Sequence, residues 1–572
     1  MHSADSKPDP SFRAIFLLLS LVVLGFGAYT GCSSGSSNTG GGTPTPTPTP
    51  MATATPSGNP TPAATVSDVL TYHNDNGRTG QDLHETILTP QNVNQSSFGL
   101  RFTLSVDGKV DAQPLYAAAL NISGKGVHNT IFVATEHGSV YAFDADNGSL
   151  LWQISTLLSG ETPSEDRYNC GQVTPEIGVT ATPVIDRAAG PHGTMYVVAM
   201  SKNGSGHYFQ RLHALDLSSG GEQFSGPKTV SASFTGTGDN SSGGVVTFDP
   251  SQYKERPGLL LLNGVIYTAW SSHCDIRPYT GWVIGYDQTT LAQTSVLNVT
   301  PNGNEGAFWN AGAGPAADGS GNIYALNANG IFDATLDVHN FPNQGDFGNA
   351  FLKMSTTSRQ LAVADYFEAF NQSTENTHDT DLGSGGALLL PDLLDSHGVT
   401  RHLAVGAGKD QVLFVVDRDN MGKFTAANNN NAYQAISGAL GGEVFSMPAY
   451  FNGTLYYGAS GDTLRAFPIT QARVASSASS HSTNSFGYPG TTPSISANGS
   501  SNGIVWAVEN ASPAVLHAYD ATDLNSELYN SNQAGTRDQF GSGNKFIVPT
   551  IANGKVYVAT TNGVGVFGLL GH

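Results

Sequence analysis

The sequence predicts an all-β chain folded as an eight-bladed β-propeller of four-stranded antiparallel blades, and three observations lead there. The first is a meander, NTIFVATEHGSVYAFDADNGSLLW, from Asn129 to Trp152. An apolar, β-branched run (Ile131 to Thr135) and an alternating run (Val140 to Phe143) flank the turn Glu136-His137-Gly138. A second turn, Asp144 to Gly148, leads into a third strand that ends near Trp152. Such a meander cannot cover its own faces and needs neighbours. The second observation is that copies follow: Gly193 to Asp216, Asn263 to Asp287, Gly321 to Gly330, His402 to Asp417, Asn452 to Phe467, Asn502 to Asp520 and Asn553 to Phe567, eight with the first. The third is punctuation. Pro114, Pro183, Pro257, Pro315, Pro448, Pro493 and Pro549 precede the copies, with Gly386 at the fifth, at a spacing of roughly 60 residues that suits a four-stranded blade with its loops.

Composition agrees with one large domain over residues 66–572. Charged residues make up 12% and Gly 68 of 572 residues, a loop-rich β composition rather than a helical one. The net charge of -20, with only 25 Lys and Arg in all, argues against nucleic acid as a partner, because phosphate binding needs clustered cations.

The front of the chain reads as export machinery. Lys7 and Arg13 precede an uncharged, mostly apolar run from Ala14 to Ala28, too short to span a bilayer comfortably and suited to a signal peptide over residues 1–31. Ser33 to Thr65 is low complexity and contains TPTPTPTP; with Cys32 it makes an extended tether over 32–65. Between tether and first copy lie Val66 to Phe102. The last copy runs out of chain at Phe567 and lacks an outer strand, so Val66 to Tyr72 is expected to supply it and close the ring.

With these residues in view, Tyr29-Thr-Gly-Cys32 resembles a bacterial lipoprotein signal, in which Cys32 is acylated after cleavage. Ser33 at the next position is similar to the outer-membrane sorting pattern, which implies a periplasmic or cell-surface lipoprotein of the outer membrane. An ordinary secretory signal cut elsewhere is the alternative. The blade ending AFDADNGSLLW, with Ala142, Asp144, Gly148 and Trp152, resembles the repeat of pyrroloquinoline quinone (PQQ) propellers, and NGRTGQ…LTPQNV resembles the start of quinoprotein alcohol dehydrogenases. The likeness covers roughly Tyr72 to Leu569, and the first repeat carries it best. It implies a quinoprotein-like propeller with calcium and quinone on the axis, the hard cation held by oxygen ligands.

Carried over residue by residue, SSHCDIRPYTGWVIGYD places Asp275 at the ligand carboxylate, and IYALNANG places Asn329 at the ligand amide. HDTDLGSGG resembles the stretch with the catalytic base, which makes Asp379 or Asp381 the group that draws the substrate hydroxyl proton. Lys409, in GAGKDQVLFVVD, matches the cation on the quinone carbonyls. Two departures stand against quinone binding. The family often clamps the ring between a vicinal disulfide and a tryptophan floor, yet no two cysteines here are adjacent, and the floor position falls near Pro315 or Ala316 with Trp309 several residues earlier.

Plainer readings stand beside these. Asp144, Asp216, Asp287, Asp417 and Asp520 recur at one repeat position and read as turn formers, and His213 and His517 share a structural strand position. Asn329-Gly330 reads as a hairpin turn, Asp379 and Asp381 as caps of the LGSGG turn, and Lys409 with Asp410 as a surface ion pair. Glu176 has no repeat-based account. Cys170 and Cys274, left over once Cys32 is lipidated, read as a disulfide joining loops of the second and third blades, with two buried free thiols as the alternative.

Two functions follow. The first is a lipid-anchored propeller that binds a protein or small molecule as a scaffold, its quinone site degenerate; the family's missing plates favour it, as does a resemblance, in repeat and anchoring, to the propeller lipoprotein of the outer-membrane assembly machinery. The alternative is a calcium- and PQQ-dependent dehydrogenase of an alcohol or sugar. No CxxCH, HExxH or P-loop pattern is present, and without CxxCH a dehydrogenase of this sequence would pass electrons to a separate acceptor.

Overall fold

Each copy in the sequence becomes a β-sheet. The computed structural model describes residues 67–571; the signal peptide over 1–31, Cys32, the tether over 32–65 and Val66 lie outside them. The described residues belong to one compact unit. Among them, eight sheets of four or five strands follow one another along the chain, with two small inserted sheets of three and two strands. The first consists of Leu115–Ile122, Gly126–Ala134, Ser139–Asp144 and Leu150–Ser155, each antiparallel to the next. The innermost strands of the other seven are Val184–Asp186, Leu260–Leu262, Ala316–Ala317, Leu388–Leu389, Ala449–Phe451, Ser494–Asn498 and Thr550–Ala552. Each starts within three residues of the predicted Pro or Gly. The protein is an all-β propeller.

The recurring aspartates are turn formers, as the repeat implied. Oδ1 of Asp144, Asp287, Asp417 and Asp520 accepts the backbone N–H two residues on at 2.8–3.1 Å, and Asp216 does the same at 2.9 Å. His213 and His517 are buried in their strands against Glu222 and Glu527. Glu176 accepts a hydrogen bond from the His137 ring at 2.9 Å.

The seam corrects the expectation. The front of the chain does complete the last sheet, but the strand is Phe98–Ser105, antiparallel to Gly563–Leu569, and not Val66 to Tyr72. FGLRFTLS alternates, and its Phe98 and Leu104 are buried in the core, Phe98 with its ring 5.4 Å from Trp506 and 6.3 Å from Phe567. That inward face is what the eighth sheet lacked.

Residues 69–81 go elsewhere. Val69 pairs with Tyr116 of the first sheet, and Leu70 C=O accepts the N–H of Ile185 in the second. Asn76 donates to Leu261 C=O in the third, and its own C=O accepts the N–H of Ala317 in the fourth. The carbonyls of Gly77, Thr79 and Gly80 accept from Leu389, Tyr450 and Ile495 of the fifth, sixth and seventh. The eighth is reached through Gln113, which accepts from His73 N–H and donates to Thr550 Oγ1. Only at the hub can thirteen consecutive residues bond to sheet after sheet around the ring.

Arg78 anchors this strap. Its fully buried guanidinium donates to Thr71 Oγ1 (2.7 Å), Tyr72 C=O (2.8 Å) and Pro315 C=O (3.0 Å), with Leu259 C=O at 3.4 Å. Burial lowers its pKa to about 10, opposed by the charge of Asp75. Replacing Arg78 by Ala leaves buried carbonyls unpaired, at about 1–3 kcal/mol each. Arg78→Ala should therefore lose at least about 3 kcal/mol of unfolding free energy and show a lower urea midpoint, with Arg78→Lys intermediate; equal midpoints for the Ala variant and wild type would show that the Arg78 side chain is dispensable.

Candidate active site on the hub

In an antiparallel sheet, the start of the innermost strand and the loop after the second strand lie at the same end. Both kinds of segment meet around one pocket of about 160 Å³. Asp275, Asn329 and Lys409 each lie in the loop between second and third strands, in the third, fourth and fifth sheets. Arg256, Trp309, Asp379, Asp381, Phe445 and Phe546 precede innermost strands. All five residues carried over from the resemblance thus line one pocket: Asp275, Asn329, Asp379, Asp381 and Lys409.

Glycines let these loops approach. A Cβ on Gly383 would lie 2.3 Å from the backbone carbon of Asn327, and one on Gly408 would lie 2.3 Å from the carbonyl oxygen of Asp381. The close contact is sealed by Lys409 N–H donating to Asp381 C=O at 2.9 Å. Several side chains are presented from left-handed backbone: Asp275 (φ +55°), Ala311 (+52°), Asp379 (+55°) and Phe546 (+68°) all line the pocket. Such conformations cost energy for non-glycine residues and gather at functional sites.

One wall is acidic. Lys409 Nζ lies 2.5 Å from Asp379 Oδ1 and 2.7 Å from Asp381 Oδ1. Asp379, its side chain 60% exposed, also accepts from Asn329 Nδ2 at 2.8 Å; Asp381 is only 3% exposed. Burial lifts the Asp381 carboxyl to about 7, with Lys409 pulling it down and Asp379 and Asp275 pushing it up. Burial likewise raises Asp275, whose carboxylate accepts the Tyr279 hydroxyl. Burial would lower the Lys409 ammonium, yet Asp381 and Asp379 hold it above its ordinary value.

Three of the plainer readings are corrected here. Lys409 pairs with Asp379 and Asp381 rather than with Asp410, which burial and Glu375 push up to about 8. Asn329-Gly330 is no hairpin turn, because the strand after Asn322–Leu326 begins only at Phe351. Asp381 makes no side-chain cap of the 3₁₀ turn Leu382–Ser384; Asp379 ends the helix Gln372–His378 in a left-handed conformation.

The disulfide is present: Cys170 and Cys274 are bonded, Cα to Cα 5.9 Å, across 104 residues. It ties the loop of Gln172 to that of Asp275, and Gln172 Oε1 accepts Cys274 N–H at 3.1 Å and Lys254 Nζ at 2.8 Å. On the chain-entropy model such a closure adds about 4–5 kcal/mol. The tryptophan position is also corrected. Pro315 and Ala316 sit at the strap, Pro315 C=O bonded to Arg78, whereas Trp309 faces the pocket with Lys254 Nζ 5.6 Å from its ring centre.

The donor atoms of the acidic wall are oxygens, the type a hard cation takes. Three carboxylates face one lysine on this wall, and the buried Asn329 Oδ1 has no hydrogen-bond partner. Among the described residues, however, the only group of three acidic, Cys or His side chains with donor atoms within 4.8 Å of one another is Asp166 with Cys170 and Cys274, whose sulfurs are spent in the disulfide. Sequence reasoning missed Arg256, Lys545, Phe546, Phe445 and Tyr488 as pocket residues. The signal was available for some: Arg256 adjoins Pro257 and Lys545 lies four residues before Pro549, and that punctuation marks the hub.

Fold and pocket together define an all-β propeller with one pocket on its hub. No protein-family model matches the sequence, and no curated protein matches it by sequence. Solved structures do. A quinohemoprotein alcohol dehydrogenase from Comamonas testosteroni is similar over 89% of this chain and 81% of its own, with TM-score 0.57 and 14% identity. The quinohemoprotein alcohol dehydrogenase ADHIIG from Pseudomonas putida HK5 is similar over 88% and 81%, with TM-score 0.55 and 13% identity. A europium-containing methanol dehydrogenase is similar over 88% and 98%, with TM-score 0.54 and 12% identity. At these identities the likeness is one of fold.

The Lys409 pairs make a pH prediction. Asp381 in the folded protein holds its proton to about 7 against 3.8 ordinarily, so its burial costs stability progressively as pH rises from 3.8 toward 7. Lys409, raised, contributes stability that is constant below its ordinary value of 10.5 and is lost only above it. Lys409→Met removes the charge opposing the burial of Asp381, so its Tm deficit against wild type should widen between pH 4 and pH 8. A deficit independent of pH would mean that Asp381 does not feel the lysine.

Proposed function

We propose that this chain is a quinone-dependent dehydrogenase of an alcohol or sugar, its hub pocket taking a PQQ-type quinone and a hard divalent cation. The observation that carries the reading is the meeting of Asp275, Asn329, Asp379, Asp381, Lys409 and Trp309 on one pocket. Asp275 and Asn329 Oδ1 would hold the cation, and Trp309 would give the flat ring one apolar face. The bound quinone would supply the two-electron acceptor that no side chain can provide.

The residues of the chain do the rest. Asp381, near 7, is poised at neutral pH to take the substrate hydroxyl proton, which suits it for that role better than the more exposed Asp379. Lys409 holds both carboxylates in place and keeps its ammonium at the pocket wall. Cys32 would anchor the protein to the cell envelope, a part of the proposal supported by the apolar run and the cysteine that follows it.

A second reading, a propeller that binds a ligand or protein without chemistry, is favoured by two observations: the Lys409 ammonium is already engaged by two acids, and the disulfide is not vicinal. Reconstitution with calcium and PQQ separates them. Quenching of tryptophan fluorescence at micromolar PQQ, followed by dye reduction with alcohols or sugars, is expected, and Asp381→Asn should abolish turnover while leaving quinone binding intact. Absence of binding at tens of micromolar would overturn the dehydrogenase and leave the scaffold.

A further inference from the structure

The pocket holds three cations, and they are not alike. Lys409 is matched by Asp379 and Asp381. Arg256 and Lys545 line the same pocket, yet among the described residues neither makes an ion pair or a side-chain hydrogen bond. Arg256 is only 5% exposed. Leaving a guanidinium buried without an acceptor is costly, and proteins tolerate it where a ligand completes the set.

The surroundings sharpen the point. The guanidinium carbon of Arg256 lies 4.4 Å from the ring centre of Phe546, and Lys545 Nζ lies 5.6 Å from it. Phe546 presents that ring from φ +68°, a conformation few bulky residues adopt. The carboxylates whose charge reaches Arg256, Asp111 and Glu136, are engaged elsewhere. Asp111 faces Lys109 at 3.5 Å and accepts from Asn544 Nδ2, and Glu136 accepts from Gly178 N–H and the Thr180 hydroxyl. Burial, and then the repulsion of Arg256, lower the Lys545 ammonium to about 8. Lys254, buried with its Nζ 5.6 Å from the Trp309 ring centre, lies near the same cations, and burial followed by Arg256 and Lys545 holds its ammonium well below the ordinary value.

We propose that Arg256 and Lys545, backed by Phe546, form an anion site that grips a carboxylate of the pocket's ligand, in the same pocket as the acidic residues Asp275, Asp379 and Asp381. The pocket thus carries both signs of charge, and its ligand presents a carboxylate to Arg256 and Lys545. The inference rests on the hub pocket being a ligand site, and it holds whether the carboxylate belongs to a quinone cofactor or to an acidic substrate such as a sugar acid. A neutral ligand would leave both cations bare.

Titration calorimetry with PQQ, glucuronate and neutral glucose tests this on the full-length protein. At least one of the two anions should bind more tightly than glucose, with an affinity that falls as salt rises. The double variant Arg256→Gln, Lys545→Gln should weaken that anion about tenfold or more; Arg256→Lys should recover part of it. Because a buried unpaired cation is removed, the double variant should melt no lower than wild type. In wild type, the Lys545 ammonium observed by NMR should titrate near 8 alone and well above that with anion bound. PQQ affinity lost with Arg256 and Lys545 assigns the carboxylate to the cofactor. Glucuronate affinity lost, with PQQ inert, keeps the anion site and removes the quinone reading. PQQ bound equally by wild type and double variant removes the anion site and keeps the quinone. If no anion binds at millimolar concentration, or glucose binds as tightly as glucuronate, the anion site is wrong.

Discussion

A guanidinium sealed inside a β-propeller has to find its acceptors on several sheets at once, and Arg78 does so. Its bonds to the strap itself and to Pro315, with Leu259 in reach, make the hub a shared object rather than a gap between blades. The backbone of residues 69–81 extends the same logic, lending one peptide group after another to strands that would otherwise end in unpaired N–H and C=O groups. Position on the ring is thereby dictated by hydrogen bonding, and loops growing from the inner strands converge because their origins are held.

From that convergence comes a pocket with both signs of charge. The acidic side is largely self-consistent: two carboxylates hold a lysine, burial lifts one of them to about 7, a third accepts the Tyr279 hydroxyl, and the Asn329 amide oxygen alone lacks a donor. The basic side is not self-consistent, since Arg256 and Lys545 repel one another over a phenyl ring. A polypeptide seldom maintains such imbalance within a few ångströms of left-handed aspartate, alanine and phenylalanine unless something outside the chain settles it.

Much of the architecture was legible because it repeats. Turn aspartates such as Asp144 and Asp520 recur for a local reason, an Asx turn, and a local reason leaves its mark at every copy. Proline punctuation located the inner strands. The closing strand was misplaced because FGLRFTLS and the segment around Val69 to Tyr72 both carry buried apolar residues, and what separates them is the guanidinium a few residues on, which draws the second into the hub. The site was readable where a motif carried it, as at Asp275 and Asp381. Trp309 and Phe546 were not, because each reaches the pocket from an irregular loop whose path depends on neighbouring sheets. Lys409 illustrates the limit from the other side: adjacency to Asp410 suggested one partner, and folding supplied two others from a loop thirty residues upstream.

The pairing of Phe98–Ser105 with Gly563–Leu569 sets an order of events. A segment made early by the ribosome is joined to one made much later, so until the second emerges the circle is an arc with two adhesive rims. An arc can lengthen sheet by sheet through nearest-neighbour contacts, but its locking step spans nearly the whole polypeptide and is intrinsically slow. Any product that stops short of residue 563 keeps its rims bare, which marks it chemically as unfinished and exposes it to proteolysis or to edge-on association with another copy.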